Sequence, residues 1–219
     1  MLAHLRPGVE VVVEDHGASI GHVPHLRVSW TAYFQLVDEL ICLIADEPNH
    51  RPNQIIGIVG GGFIPARAIS QALGIPLALF AAESYGAVSE NDTRAMLPEQ
   101  DIRFDRHLLR TRPGLGTRIL VVDDLTDSGR TLRACTAWLK SCPELAGAML
   151  HISTAVLWNK YATSAFRPDC YVDLLEVLPV PSGTGTGMRM PWIDQPMESQ
   201  YPRNIDAIRT RIPTERRQT

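Results

Sequence analysis

Lysine is nearly absent from this chain. Of its 21 basic residues two are lysines, Lys140 and Lys160, and the others are arginines, so chemistry that requires an ammonium has two candidates. Cysteine is scarce too: four residues (Cys42, Cys135, Cys142, Cys170) and no C-x-x-C pair leave zinc and dithiol chemistry without a framework. Nor is there an excess of positive charge. A formal net charge of −3 argues against a nucleic-acid or anionic-membrane surface. No apolar run reaches membrane-spanning length and no basic-then-apolar leader pattern opens the sequence, so a cytoplasmic protein is expected. The seven histidines (His4, His16, His22, His25, His50, His107, His151) show no metal-ligand spacing, and none is assigned a role. What is present is ordinary for a globular chain, with 45% hydrophobic and 21% charged residues. Its 219 residues suffice for one well-buried domain, or for a core domain with an appended subdomain.

The order of elements is more telling. A strand-like run at Val9–Val13 is followed by turn-formers up to position 28. Ser29 then caps an amphipathic helix, with Tyr33, Phe34, Val37, Leu40, Ile41 and Ile44 at helical spacing. Apolar strands then alternate with helices: IIGIV (55–59), a helix from Pro65 to Gly74, PLALF (76–80), RILVVDD (118–124), a helix over 129–141, AMLHISTAVLW (148–158) and CYVDLLEV (170–177). Strands this continuously apolar are covered on both faces, and the alternation implies a parallel sheet with helices on both sides. Two segments interrupt the pattern. Residues 84–116 are polar and too long for a passive connection, which suggests a lid or an excursion hairpin. PVPSGTGTGMRM (179–190) is turn-rich and reads as irregular. The basic tail RTRIPTERRQT reads as solvated.

One stretch carries chemistry. In ILVVDDLTDSGRTL (119–132) a strand runs into Asp123 and Asp124, and Asp127 follows just before a helix. The first N–H groups of a helix lack intrahelical partners and bind phosphate, with hydroxyls from Ser128 and Thr131 beside them. The carboxylates cannot face that phosphate. They suit sugar hydroxyls, or a Mg²⁺ ion that bridges to other phosphates of the same ligand.

This stretch closely resembles the phosphoribosyl-diphosphate signature of the type I phosphoribosyltransferases. IIGIVGGGFIPARAISQALGIP (55–76) is similar to that family's diphosphate loop, and Ser84 and Tyr85 resemble the start of its flexible catalytic loop. A 6-oxopurine subgroup adds a lysine after the fourth strand and a Pro-Asp before the next, matched here by Lys160 and Pro168-Asp169. PWIDQPME (191–198) looks like the C-terminal aromatic element of xanthine-guanine phosphoribosyltransferases.

The resemblance implies a Rossmann-like five-stranded parallel sheet with flanking helices and a small hood. It implies a single domain over 1–219, with a core at about 29–178, a lid at about 84–117 and a hood from 1–28 and 179–219. Asp123, Asp124, Thr126, Ser128, Gly129, Arg130, Thr131, Gly60, Gly61 and Gly62 would bind phosphoribosyl diphosphate. Asp127 would handle the proton at purine N7. Lys160 would donate to the 6-oxo group, Trp192 would stack on the ring, and backbone carbonyls at Trp192 and Ile193 would meet the 2-substituent. Mg²⁺ is the implied cofactor, held with help from Asp124 and Glu198. The implied partners are phosphoribosyl diphosphate and a purine base in a homodimer or homotetramer, and the implied reaction is purine salvage.

Two departures matter. Gly60 stands where many relatives carry Arg or Lys, and the peptides around it are often cis in the family. The approach to PWIDQP is also long. Together they leave open a non-catalytic sensor of phosphoribosyl diphosphate with the same fold. RILVVDD also resembles the opening of a receiver domain, with Asp173 as phospho-acceptor, but no lysine follows Lys160 to contact a phosphoryl group.

Overall fold

The computed structural model describes residues 6–16, 21–47, 51–83, 103–104, 108–160, 166–182, 185–199 and 205–211. The chain divides into two units, residues 36–176 and residues 1–35 with 177–219, and the division falls inside helix α1 (Trp30–Asp46). Ser29 caps that helix as expected, its Oγ accepting from the Ala32 N–H at 3.2 Å.

In the larger unit the strands are β3 (Gln54–Ile58), β4 (Leu77–Phe80), β8 (Arg118–Val122), β10 (His151–Asn159) and β11 (Cys170–Leu174). They pair in parallel in the order β11-β10-β8-β3-β4, the parallel sheet expected from the alternating pattern, with the five strands that the resemblance implies. A short strand β7 (Leu109–Arg110) adds antiparallel to β4, and β9 (Leu125–Thr126) pairs with β10. The apolar runs end where burial ends: β3 is buried throughout, and β8 from Ile119 to Val122. Helix α2 (Phe63–Leu73) links β3 to β4 and ends at Gly74, and helix α3 (Arg130–Ser141) packs Leu132, Cys135 and Leu139 into a core with Ile56, Ile58, Phe80, Ile119 and Val121. Burial in that core pushes the Cys135 thiol far up, with the Asp123 carboxylate a second cause, so it is inert packing.

The chain leaves β3 toward β4 on one side, then crosses back to β8 on the other. The strand order therefore reverses between β3 and β8, and ligands of open α/β sheets bind beyond the carboxyl ends of strands at such a point. The loops after these two strands hold the glycine triplet and the paired aspartates.

The polar segment that begins at 84 has an ordered base. Strand β5 (Ala82–Glu83) pairs antiparallel with β6 (Arg103–Phe104), so the chain leaves and returns as an excursion. Most of the expected lid, with Ser84 and Tyr85, lies outside the described residues.

Pro168-Asp169 has a structural job. The Asp169 Oδ2 accepts from the Thr154 N–H and hydroxyl, both at 2.8 Å, and the Asp169 N–H approaches Thr154 Oγ1 at 3.1 Å. This pins the entry of β11 to β10. Asp169→Ala leaves two buried donors unpaired and is expected to cost about 1–3 kcal/mol, read as a lower urea midpoint at unchanged m.

The smaller unit corrects two expectations. The turn-formers before 28 contain a full strand: β1 (Val9–Asp15) pairs antiparallel along its length with β2 (His22–Val28). Pro24 and three flanking polar residues hide it from a propensity reading, but the pairing itself satisfies the backbone. The stretch 179–190 is not irregular. It forms an antiparallel hairpin of β12 (Leu178–Ser182) and β13 (Gly185–Arg189), despite its glycines and prolines. Strand β14 (Trp192–Asp194) joins β2 in parallel, followed by α4 (Pro196–Ser199) and α5 (Ile205–Arg209). Among the described residues no helix is long and apolar enough to cross a membrane.

Candidate active site

The site in the larger unit is built at the β3/β8 switch point. Val122 ends β8, and the next residues form a turn held to β10. The Asp123 N–H donates to the Ala155 carbonyl at 3.1 Å, while the Asp124 carbonyl accepts from the Leu157 and Trp158 N–H groups at 2.8 and 3.1 Å. Both carboxylates are thus fixed at the sheet rim. Burial, and next the adjacent Asp124 carboxylate, hold Asp123 well above the ordinary carboxylate range. Hydroxyl donors or a dication would relieve that repulsion, so this pair fits the ligands that the sequence pointed to.

The glycine triplet lies against the same pair. A Cβ on Gly61 would fall inside the Asp124 carboxylate, so no larger residue lets the two loops approach this closely. Gly61→Ala is expected to destabilise by about 1–3 kcal/mol or to displace Asp124. A lower melting temperature would report it.

Gly60 sits at φ +114°, a conformation open to glycine and rarely to L side chains, although the space around it is open. The missing cation is therefore tied to the backbone, and an arginine introduced there would be strained. The described backbone contains no cis peptide, so the loop's unusual geometry rests in Gly60 and not in the cis bond often seen in the family.

The phosphate cradle follows. Gly129 precedes α3 in the left-handed conformation and supplies no side-chain cap, while the first helical N–H, that of Arg130, points to Ser128 Oγ at a long 3.5 Å. Arg130 Nε donates to Ser128 Oγ at 3.1 Å, holding that hydroxyl beside the helix start. Thr131 lies in the first turn. A twelve-residue helix with an open N-terminus and a hydroxyl beside it suits a phosphate monoester.

Asp127 and Lys160 meet. Lys160 Nζ lies 3.7 Å from Asp127 Oδ2, although 33 positions separate them in the chain, because the Lys160 N–H bonds the Thr126 carbonyl at 2.8 Å. The lysine side chain is 7% exposed and the aspartate 39%. Burial lowers the Lys160 pKa, while Asp127 and then Asp124 oppose that shift. A buried ammonium between two carboxylates faces the same rim as the phosphate cradle.

Sequence reasoning missed one neighbour. Asn159 is fully buried, and among the described residues neither of its amide atoms has a hydrogen-bond partner; Thr126 Oγ1 is likewise unpaired. The two residues are register partners across β9 and β10. The signal lay in the polar Asn-Lys that ends an otherwise apolar strand.

The remaining site candidates belong to the smaller unit. Ile193 is buried, Trp192 is 54% exposed, and Glu198 is exposed on α4.

A family model described as a phosphoribosyl transferase domain matches residues 29–183. No curated protein matches the sequence. Among solved structures, a Helicobacter pylori xanthine-guanine-hypoxanthine phosphoribosyltransferase superposes with a TM-score of 0.56 at 16% identity, covering 85% of this chain and 99% of that one. A Neisseria gonorrhoeae protein with bound ppGpp gives 0.52 at 20% identity, covering 85% and 94%. A purine phosphoribosyltransferase from Pyrococcus horikoshii gives 0.50 at 24% identity, covering 81% and 95%. These likenesses concern the fold.

Proposed function

Because the chain belongs to the phosphoribosyltransferase family, we propose that it transfers ribose 5-phosphate from phosphoribosyl diphosphate to N9 of a 6-oxopurine and releases diphosphate. The observation that carries this reading is the buried Lys160 ammonium 3.7 Å from Asp127, beside an uncapped helix start. An ammonium donates and cannot accept, so it pairs with an oxo group and leaves adenine's amino group without a partner.

In this reading the α3 N-terminus, Ser128 and Thr131 hold the 5′-phosphate. Asp123 and Asp124 accept from the ribose hydroxyls, and Thr126 and Arg130 shape the loop around them. Gly60, Gly61 and Gly62 let the backbone approach the diphosphate. Asp124 fits Mg²⁺, which keeps few protein ligands and takes the rest from substrate oxygens. When bound, that ion offsets negative charge on the departing diphosphate.

The bond from N9 to C1′ forms as the bond from C1′ to diphosphate breaks, and positive charge develops on the ribose. Asp127 receives or shares the proton at N7 as the purine's electron density shifts toward the sugar. Lys160 fixes the 6-oxo group. Most of the acceleration then comes from positioning and charge.

The test is a panel of guanine, xanthine, hypoxanthine and adenine with phosphoribosyl diphosphate and Mg²⁺, following nucleotide formation. The three 6-oxopurines are expected to react and adenine to fail. Binding of phosphoribosyl diphosphate with no nucleotide from any base would favour the sensor reading, which draws on the cation-free loop at Gly60.

A further inference from the structure

The three-stranded sheet of the smaller unit gathers a second set of polar side chains. Strand β1 places Glu14 on the same face as Val12, and His16 follows two residues on. Strand β2 brings His25 opposite Val12, and β14 brings Trp192 alongside His25 and Asp194 alongside Arg27. The opposite face is apolar and buried through Leu26, Val28 and Ile193.

On the polar face, His16 Nε2 and His25 Nε2 lie 3.0 Å apart, and Glu14 Oε2 lies 3.9 and 3.8 Å from them. These three ligand atoms fall within 4.8 Å of one another. The other nitrogen of His25, Nδ1, is 3.0 Å from Asp194 Oδ1. That contact sets the tautomer: Nδ1–H donates to the carboxylate and Nε2 presents a lone pair. Arg27 binds the other Glu14 oxygen at 2.7 Å and lies 3.7 Å from Asp194 Oδ2, so both carboxylates are braced.

From this geometry we propose that Glu14, His16 and His25 form a binding site for a divalent transition ion of the zinc class, with Asp194 as the residue that orients His25. Two imidazole nitrogens and one carboxylate oxygen are an accepted zinc donor set and leave a fourth position for water or a ligand. A His whose second nitrogen is held by a carboxylate is the usual support of such a site. The site carries two carboxylates and one guanidinium, a net negative charge that favours a dication.

The rings are 13° from coplanar with centroids 5.3 Å apart, so they meet head-on through a shared Nε2 proton. Zinc bonds of about 2.0–2.1 Å in a tetrahedron set the two nitrogens roughly 3.3 Å apart and at an angle. His16, 37% exposed against 9% for His25, is the ring that turns, and its proton moves to Nδ1 without net loss. This site is independent of the reaction proposed above.

The experiment is titration of the chelator-treated full chain with Zn²⁺ by calorimetry, and with Co²⁺ by visible absorption. One equivalent is expected in the wild type, with cobalt d–d bands and no thiolate charge-transfer band in the near ultraviolet. His16→Gln is expected to lose that equivalent. Asp194→Asn, which keeps all three ligands, is expected to retain it at about 10–100-fold weaker affinity. No bound equivalent in the wild type, unchanged binding in His16→Gln, or a thiolate band that assigns the ion to a cysteine would each overturn the site.

Discussion

Asp127→Asn is expected to lower nucleotide formation by about 10²–10⁴-fold, the usual worth of one positioned acid or base, while phosphoribosyl diphosphate still binds. Asparagine matches aspartate in size, so the turn between β9 and α3 is preserved. Its amide cannot accept a proton from N7. Asp127 is the nearest counter-charge of the buried Lys160, so a lower melting temperature accompanies the change, and both assays are run well below it. Two measurements decide the case: single-turnover nucleotide formation, and binding of phosphoribosyl diphosphate followed by calorimetry. Equal turnover in wild type and variant would remove the catalytic role of Asp127. A fall in both quantities would assign it to ligand binding instead.

Lys160→Met gives the second large effect, and it separates function from stability. In the proposed reaction the lysine would give the base a charged hydrogen bond worth about 1.5–3 kcal/mol, or roughly 10–150-fold in kcat/KM for 6-oxopurines. Binding of phosphoribosyl diphosphate is expected to change far less. Methionine fills a similar volume without charge, so the fold loses a desolvation penalty and keeps its packing. The sign of the pH effect follows from the lowered pKa of Lys160. Between its folded and unfolded values the unfolded chain binds more protons, so this residue's contribution to stability rises with pH across that alkaline window. It is lost as pH falls through the folded value. The variant should lack that rise, read from urea midpoints measured along a pH series. Equal losses for purine and phosphoribosyl diphosphate would make Lys160 a structural residue.

The sequence determined the core sheet and the ligand class that its rim suits. Continuous apolar runs such as Ile55–Ile58 and Ile119–Val122 are legible because a strand covered on both faces has no polar positions to confuse the period. Asp123, Asp124 and Asp127 beside Ser128-Gly129 are legible because strand, turn and helix start are contiguous, so local spacing fixes their relation.

Tertiary structure decided the rest, since pairing across the chain leaves no local signature. The contact of Asp127 with Lys160 depends on β9 lying beside β10, and the closeness of Gly61 to Asp124 depends on β3 lying beside β8. Strands β2, β12 and β13 carry prolines and glycines and form because a partner strand satisfies their backbone. The meeting of His16, His25 and Asp194 is the clearest case. Residues 9 and 169 positions apart converge only when β1, β2 and β14 pair, and spacing along the chain cannot encode that.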